Sequence, residues 1–119
     1  EEATVKIDEN LLEVVIRNLV QNAKKAEPKD RCVYLVGNNN ENKYIISIID
    51  NGIGIPKKHI ERVTEDFYMV DKSRSRKNGG TGIGLSLCKK ILELHNSKIN
   101  IESQENVGTR VFFELEVID

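Results

Sequence analysis

Three sets of residues in this chain stand at spacings that a hydrophobic core does not require. The first is Asn18, Asn22 and Lys25 in "RNLVQNAKKA", four and three apart, which on a helix lines one stripe. Amide oxygens are ligands for a hard cation such as Mg²⁺, which also takes phosphate oxygens. Asn22 falls at the edge of an apolar arc. It is either an amide satisfied by nearby backbone or water, or a metal ligand. The second set is "DNGIGIP", where Asp50 closes the apolar run "YIISIID" and Gly52 and Gly54 follow. A carboxylate at a strand end is commonly a turn or cap residue. Beside glycines that let a ligand come close, it is also an acceptor for an amine such as that of adenine. The third is "GGTGIGLSL", where Gly80, Gly82 and Gly84 lead into a helix whose first N–H groups can cradle phosphate.

Other phosphate sites are excluded by pattern. There is no GxxxxGK[ST], no GxGxxG after a strand and no VAIK, HRD or DFG set. Between the second and third sets runs "DKSRSRKNGG", with Lys72, Arg74, Arg76 and Lys77 against Asp71. Such a charge run is a solvated loop or, lying between two nucleotide-like motifs, a lid that contacts phosphates.

The elements that position these sets follow from periodicity. Asp8 can cap a helix that runs to about Glu27 and stops before Pro28, with Leu11, Leu12, Val15, Ile16, Leu19, Ala23 and Ala26 on one arc. "RCVYLVG" and "KYIISIID" read as strands joined by the polar turn "NNNEN". Pro56 starts a short helix. The stretch from about Thr64 to Gly80 has no clean period, and its second half, "DKSRSRKNGG", reads as a mobile loop. A second helix runs from about Gly82 to His95, with Leu85, Cys88, Ile91 and Leu92 at helical spacing. "SKINIES" and "TRVFFELEV" close the chain as strands. The opening "EEATVKID" is also strand-like. This order predicts a two-layer α/β sandwich, with a mixed, mostly antiparallel sheet, helices on one face and solvent on the other.

Composition suits that reading. The 119 residues are enough for one domain with one core. A net charge of −1, with three Phe, three Tyr and no Trp, gives no pull toward nucleic acid. No apolar run approaches the roughly 20 residues of a membrane span. Cys32 and Cys88 match no metal or CxxC spacing and, among apolar neighbours, read as reduced core cysteines. His59 and His95 lack ligand spacing, so no zinc site is expected.

Taken in order, "NLVQNAKKA", "DNGIGIP", "DFYMVDKSRSR", "GGTGIGLSL" and "GTRVFFEL" resemble the ATP-binding catalytic domain of bacterial sensor histidine kinases. That domain belongs to the GHKL group, with type II topoisomerases, mismatch-repair ATPases and heat-shock chaperone ATPases. The resemblance covers about Asp8 to Val117 and implies the Bergerat fold. It implies ATP and Mg²⁺ as ligands, with Asn22 the metal ligand, Lys25 a phosphate contact and Asn18 the first asparagine of the same box. It also implies that Asp50 reads the adenine amine beside Gly52 and Gly54. Phe67 stands at the base of the lid, from which Arg74 and Arg76 reach phosphate. Gly80, Thr81, Gly82, Gly84 and Leu85 form the second glycine box, and Gly108 and Thr109 the last motif, with Thr109 near adenine. Three departures stand out. Ala26 replaces an aromatic residue common beside the base, Met69 an arginine common in the lid, and Asn96 and Ser97 a usual pair of glycines, where a changed turn is expected.

Residues 1–119 are thus expected to be one catalytic domain, cut from a protein whose dimerisation and phosphoacceptor helices lie upstream. Its partners would be ATP, that acceptor domain and, downstream, a response regulator, with neither nucleic acid nor a membrane touched directly. The resemblance implies a cytoplasmic domain of a parent in the bacterial cell membrane. Three functions compete: donation of the γ-phosphoryl group to a histidine elsewhere, ATP hydrolysis, and an ATP-dependent regulatory module that only docks a partner. Hydrolytic relatives carry a glutamate base where Asn18 stands, and an amide cannot take a proton. Neither His59 nor His95 has the acidic neighbour and helix context of an acceptor. The kinase reading is favoured.

Overall fold

A computed structural model of the protein describes residues 4–5, 7–24, 32–65 and 84–118. Among the described residues the regular elements run in the order β1 (Thr4–Val5), α1 (Glu9–Lys24), β2 (Val33–Asn40), β3 (Lys43–Asp50), α2 (Gly84–Leu94), β4 (Asn100–Gln104) and β5 (Gly108–Ile118). A 3₁₀ turn, Lys57–His59, follows Pro56.

Helix α1 begins where its cap allows. The Asp8 Oδ1 accepts the N–H groups of Asn10 at 2.9 Å and Leu11 at 3.1 Å, two of the donors a helix start leaves unpaired. Val15, Leu19 and Ala23 are buried, and Leu11, Leu12 and Ile16 pack at the margin. On α2, Cys88, Ile91 and Leu92 are buried against them. The two helices pack against each other, and α1 also packs on β3.

All described strand pairs are antiparallel. β2 pairs with β3, and β3 pairs with β5 from Lys43↔Glu116 to Asp50↔Thr109. The other edge of β5 is shared: its first half pairs with β4 and its last two described residues with β1. β2 runs three residues past the expected "RCVYLVG", because Asn38, Asn39 and Asn40 still pair with Ile45, Tyr44 and Lys43. The turn is only Glu41–Asn42, with Glu41 at φ 55°. Alternation sends Ile46, Ile48 and Asp50 of β3, and Thr109, Val111, Phe113 and Leu115 of β5, to the helix side. Phe113 and Leu115 there are 0% and 2% exposed. On the open side Arg110 bonds Ser47 Oγ through Nε and Nη2, pairs with Glu102 and lies 3.9 Å over the Phe112 ring.

The turn after α2 keeps a regular helix stop. Asn96, at φ 58°, takes the left-handed place usually filled by glycine. The Ser97 N–H bonds the Leu92 carbonyl and the Asn96 N–H that of Glu93, which is the Schellman pattern. So asparagine here preserves the turn. His95 ties the helix ends together: its Nε2 accepts the Asp8 N–H at 3.2 Å and its Nδ1 donates to the Ile91 carbonyl at 2.8 Å. Cys32 departs from expectation. It is exposed just before β2, where Asn51 Oδ1 accepts its N–H, whereas Cys88 is a core thiol. The apolar neighbours of Cys32 in sequence alternate across an edge strand and do not enclose it. No described helix is long and apolar enough to cross a membrane.

Candidate functional site

At the end of β3, Asp50 is 8% exposed. Its Oδ1 accepts the Gly52 N–H at 2.8 Å, which turns the chain sharply out of the strand. Thr109 is its register partner on β5, so both side chains stand side by side on the helix face of the sheet. The glycine loop is then held by the β4–β5 turn. Ile53 O accepts the Asn106 N–H at 2.7 Å, and Ser103 Oγ accepts the Ile55 N–H at 2.7 Å. Ser103 Oγ also donates to Gly108 O at 2.9 Å and lies 2.8 Å from Thr109 Oγ1.

Two glycines are required by this clamp. At Gly54, with φ +74°, an added Cβ would lie 2.3 Å from the Gln104 carbonyl oxygen. At Gly108, with φ +152°, it would lie 2.1 Å from the Asp50 carbonyl oxygen. The close approach that the sequence assigned to a ligand is therefore, at Gly54, an approach of backbone to backbone.

The second group forms where α1 meets α2. The Asn18 Nδ2 donates to the Val14 carbonyl at 2.8 Å, which turns its Oδ1 toward the start of α2. A Cβ added at Gly84 would meet that oxygen at 3.4 Å. Leu85 beside it packs partly buried on the core. Asn22 lies one turn further along α1 and is exposed, so it is not a buried packing amide. Nearby, Cys88 Sγ reaches the Val15 carbonyl at 3.6 Å, and burial pushes its thiol pKa up from 9.0 to about 12. It is inert as a nucleophile.

Of the expected site, then, Asp50, Gly52, Gly54 and Thr109 meet at one end of the sheet, and Asn18, Gly84 and Leu85 meet between the helices. Lys25, Ala26, Phe67, Met69, Arg74, Arg76, Gly80, Thr81 and Gly82 lie outside the described residues, as does the proposed lid. Ser103 was missed. A hydroxyl at the inward position after Ile99 and Ile101 was the trace it left in the sequence.

The donor set fits a nucleotide. A carboxylate and the paired hydroxyls of Thr109 and Ser103 at one sheet end suit a base with an amine, the N–H groups of a helix start suit phosphate, and the Asn18 amide oxygen beside them suits a donor or a cation. For a metal, no group of three or more His, Cys, Asp or Glu exists among the described residues. Amide and phosphate oxygens together are a ligand set that suits Mg²⁺ better than a transition metal.

An antiparallel sheet with helices on one face, a carboxylate ending its central strand and a glycine at a helix start facing an asparagine define an α/β nucleotide-binding sandwich. Residues 7–118 match the family "Histidine kinase-, DNA gyrase B-, and HSP90-like ATPase", and the chain belongs to that family. It is 42% identical over 113 residues to the sensor histidine kinase WalK of Bacillus subtilis, covering 93% of this chain and 18% of that protein. It is 42% identical over 118 residues to the WalK of Staphylococcus haemolyticus, covering 96% of this chain and 19% of that one. The chain thus spans less than a fifth of the length of these curated relatives. Among solved structures, the nucleotide-free catalytic domain of the histidine kinase ThkA superposes with a TM-score of 0.78 at 31% identity, covering 94% of this chain and 71% of that one. Full-length ShkA with AMPPNP has the same fold at 21% identity, with a TM-score of 0.83 over 98% of this chain and 24% of that one.

Proposed function

We propose that the chain is the catalytic domain of a sensor histidine kinase, residues 1–119 forming one ATP-binding unit. It binds Mg·ATP and offers the γ-phosphoryl group to a histidine on a dimerisation domain of the same protein, which then serves a response regulator. Asp50 accepts the adenine amine, with Thr109 beside it. Gly52 and Gly54 shape the base end. Asn22 holds the cation, and Lys25 and the second glycine box, from Gly80 to Leu85 with Thr81, Gly82 and Gly84, face the phosphates. Phe67, Arg74 and Arg76 belong to the lid over them. When bound, Mg²⁺ neutralises charge on the phosphate oxygens. The chain's own work is alignment of the triphosphate. We place the domain on the cytoplasmic side of a membrane-bound parent.

The observation that carries phosphotransfer over hydrolysis is the amide of Asn18. Its oxygen stands against Gly84 at the start of α2 while its nitrogen is bonded to Val14. An amide there can orient but cannot take a proton from water. His95 supports the same reading, since both its ring nitrogens are engaged within the fold. Incubation with γ-labelled ATP tests the proposal. The chain alone should bind nucleotide and remain unlabelled. Addition of the acceptor-histidine domain of the same protein should give an acid-labile label on that domain. Hydrolysis by the chain alone at about 1 s⁻¹ or faster would give the site to the ATPase reading.

A further inference from the structure

We propose that Ser103 is a positioning residue for base recognition: it takes the hydroxyl proton of Thr109, so that the Thr109 oxygen faces the base as a hydrogen-bond acceptor beside Asp50. The inference rests on the reading of this sheet end as the adenine site.

Counting protons leads to it. Ser103 lies half-buried on β4, on the helix side, opposite Thr109 in the β4–β5 register. Its oxygen has three partners: the Ile55 N–H at 2.7 Å, the Gly108 carbonyl at 2.9 Å and Thr109 Oγ1 at 2.8 Å. A hydroxyl has one proton to give and two lone pairs to receive. The Ile55 amide can only donate and fills one lone pair. The Gly108 carbonyl can only accept and takes the single proton. The bond to Thr109 must then be donated by Thr109. That leaves the Thr109 oxygen with lone pairs alone for any ligand.

Asp50, its partner across the β3–β5 ladder, is as a carboxylate also an acceptor only. Two adjacent acceptors favour an amino group, which carries two N–H bonds, and disfavour a carbonyl oxygen at the same place. Without Ser103 the Thr109 hydroxyl would turn freely and could donate to such a carbonyl. Ser103 thereby converts an indifferent hydroxyl into one that discriminates 6-amino from 6-oxo purines. The same serine pins the Ile55 end of the glycine loop, so the polarity of Thr109 and the position of that loop are set by one side chain.

The test is calorimetric binding of ADP and of inosine diphosphate to the 119-residue chain, read as the ratio of the two dissociation constants. Wild type should prefer ADP. Ser103→Ala should lower that preference roughly three- to tenfold, as expected for one neutral hydrogen bond. Thr109→Val should lower it by a similar factor, and Ser103→Ala should add little in the Thr109→Val background. Ser103→Cys, with the same shape and a weaker acceptor, should fall between and serves if the alanine variant does not fold. A serine with only a packing role would weaken both nucleotides equally and leave the ratio unchanged, and that result overturns the proposal. So does an unchanged ratio in Thr109→Val. A wild-type chain with no preference for ADP would overturn the adenine reading and this inference with it.

Discussion

At the proposed base end of the site, Asp50 is 8% exposed, its Oδ1 is bonded to Gly52, and the loop beyond it is held by Ser103 and by the Asn106 N–H. At the proposed phosphate side, Asn22 lies open on α1, and Asn18 Oδ1 stands 3.4 Å from where a Cβ on Gly84 would lie. The first region is made of strand ends and tight turns whose backbones lean on one another. The second is made of two helix surfaces brought near. If this is the base slot, as proposed, its interlocked backbone leaves little to rearrange when a ligand arrives, which suits discrimination among flat rings of similar size. Side chains on helix faces keep the freedom to close on a charged, variable group such as a metal triphosphate. Substitutions that push on the backbone should accordingly cost stability at the base end, and those on the helix faces mainly ligand affinity.

Glycines give the largest contrast. Gly108→Ala would put a carbon 2.1 Å from a backbone oxygen at a φ of +152°, and Gly54→Ala one 2.3 Å away at +74°. Neither neighbour can swing aside, because both are main chain. Each variant should lose at least about 3 kcal/mol in urea denaturation, from strain and displaced backbone together. Gly84→Ala, at 3.4 Å from a side-chain oxygen, should stay within about 1 kcal/mol of wild type. If Gly84→Ala were the more damaging, the contrast between the two regions would be wrong.

Next in size is Asp50→Asn. The amide can still accept the Gly52 N–H through its oxygen, so the loop keeps its turn. Its nitrogen would then face the ligand amine with donor against donor. ATP affinity should fall by about 1–3 kcal/mol, or roughly 5- to 150-fold, with less change in unfolding. Calorimetry that returned the wild-type constant would remove Asp50 from base recognition.

The seam between α1 and α2 can be loosened by pH through Cys88. The thiol's ordinary pKa is 9.0 and burial holds it near 12 in the folded chain. Below pH 9 both states keep the proton and the contribution is whole. Between 9 and about 12 the unfolded chain releases a proton that the native chain retains, so stability falls as pH rises, by at most about 1.4 kcal/mol per unit. Cys88→Ala should start less stable, having lost packing, but show a shallower alkaline decline between pH 9 and 11. Thiol labelling should reach the exposed Cys32 at once and Cys88 only on unfolding. Because Cys88 bonds the carbonyl of Val15, one residue beyond the carbonyl that holds Asn18, alkaline loosening should weaken phosphate binding before base binding.

How far the sequence could be read depended on whether a feature is local. Asp8 as a cap, the apolar arc of α1 and the inward register of Val111, Phe113 and Leu115 are all periodic or nearest-neighbour facts, and the structure reproduces them. Asp50 stood out because a carboxylate closing an apolar strand is unusual in itself, and the structure buries it at the head of the glycine loop. What escaped was set by long-range pairing. Asn38–Asn40 read as a turn by composition, yet an edge strand needs only backbone to pair, and β3 supplied it. Cys32 read as core because its neighbours are apolar, but nothing local says that β2 stands at the edge of the described sheet. Gly54 read as room for a ligand, and the neighbour that needs the room is Gln104, fifty residues later. Ser103 escaped because its three partners come from two separate segments.

The smallest effect on the fold should come from Asn22→Ala. The residue is exposed and sits in the last turn and a half of α1. Alanine is also the better helix former, so unfolding should shift by no more than about 0.5 kcal/mol in either direction. Binding separates the possibilities that stability cannot. A metal ligand acts only when the metal is present, so Asn22→Ala should weaken ATP in Mg²⁺ and leave binding in a chelator close to wild type. A residue that merely touched the triphosphate would weaken both alike. Asn22→Asp sharpens the distinction, because a carboxylate can still ligate the cation but repels bare phosphate. It should bind metal-free ATP worse than Asn22→Ala does, and recover part of that loss when Mg²⁺ is added. Should the two variants behave identically with and without metal, Asn22 would be a solvated surface amide, and the cation would have to be held by something other than this face of α1.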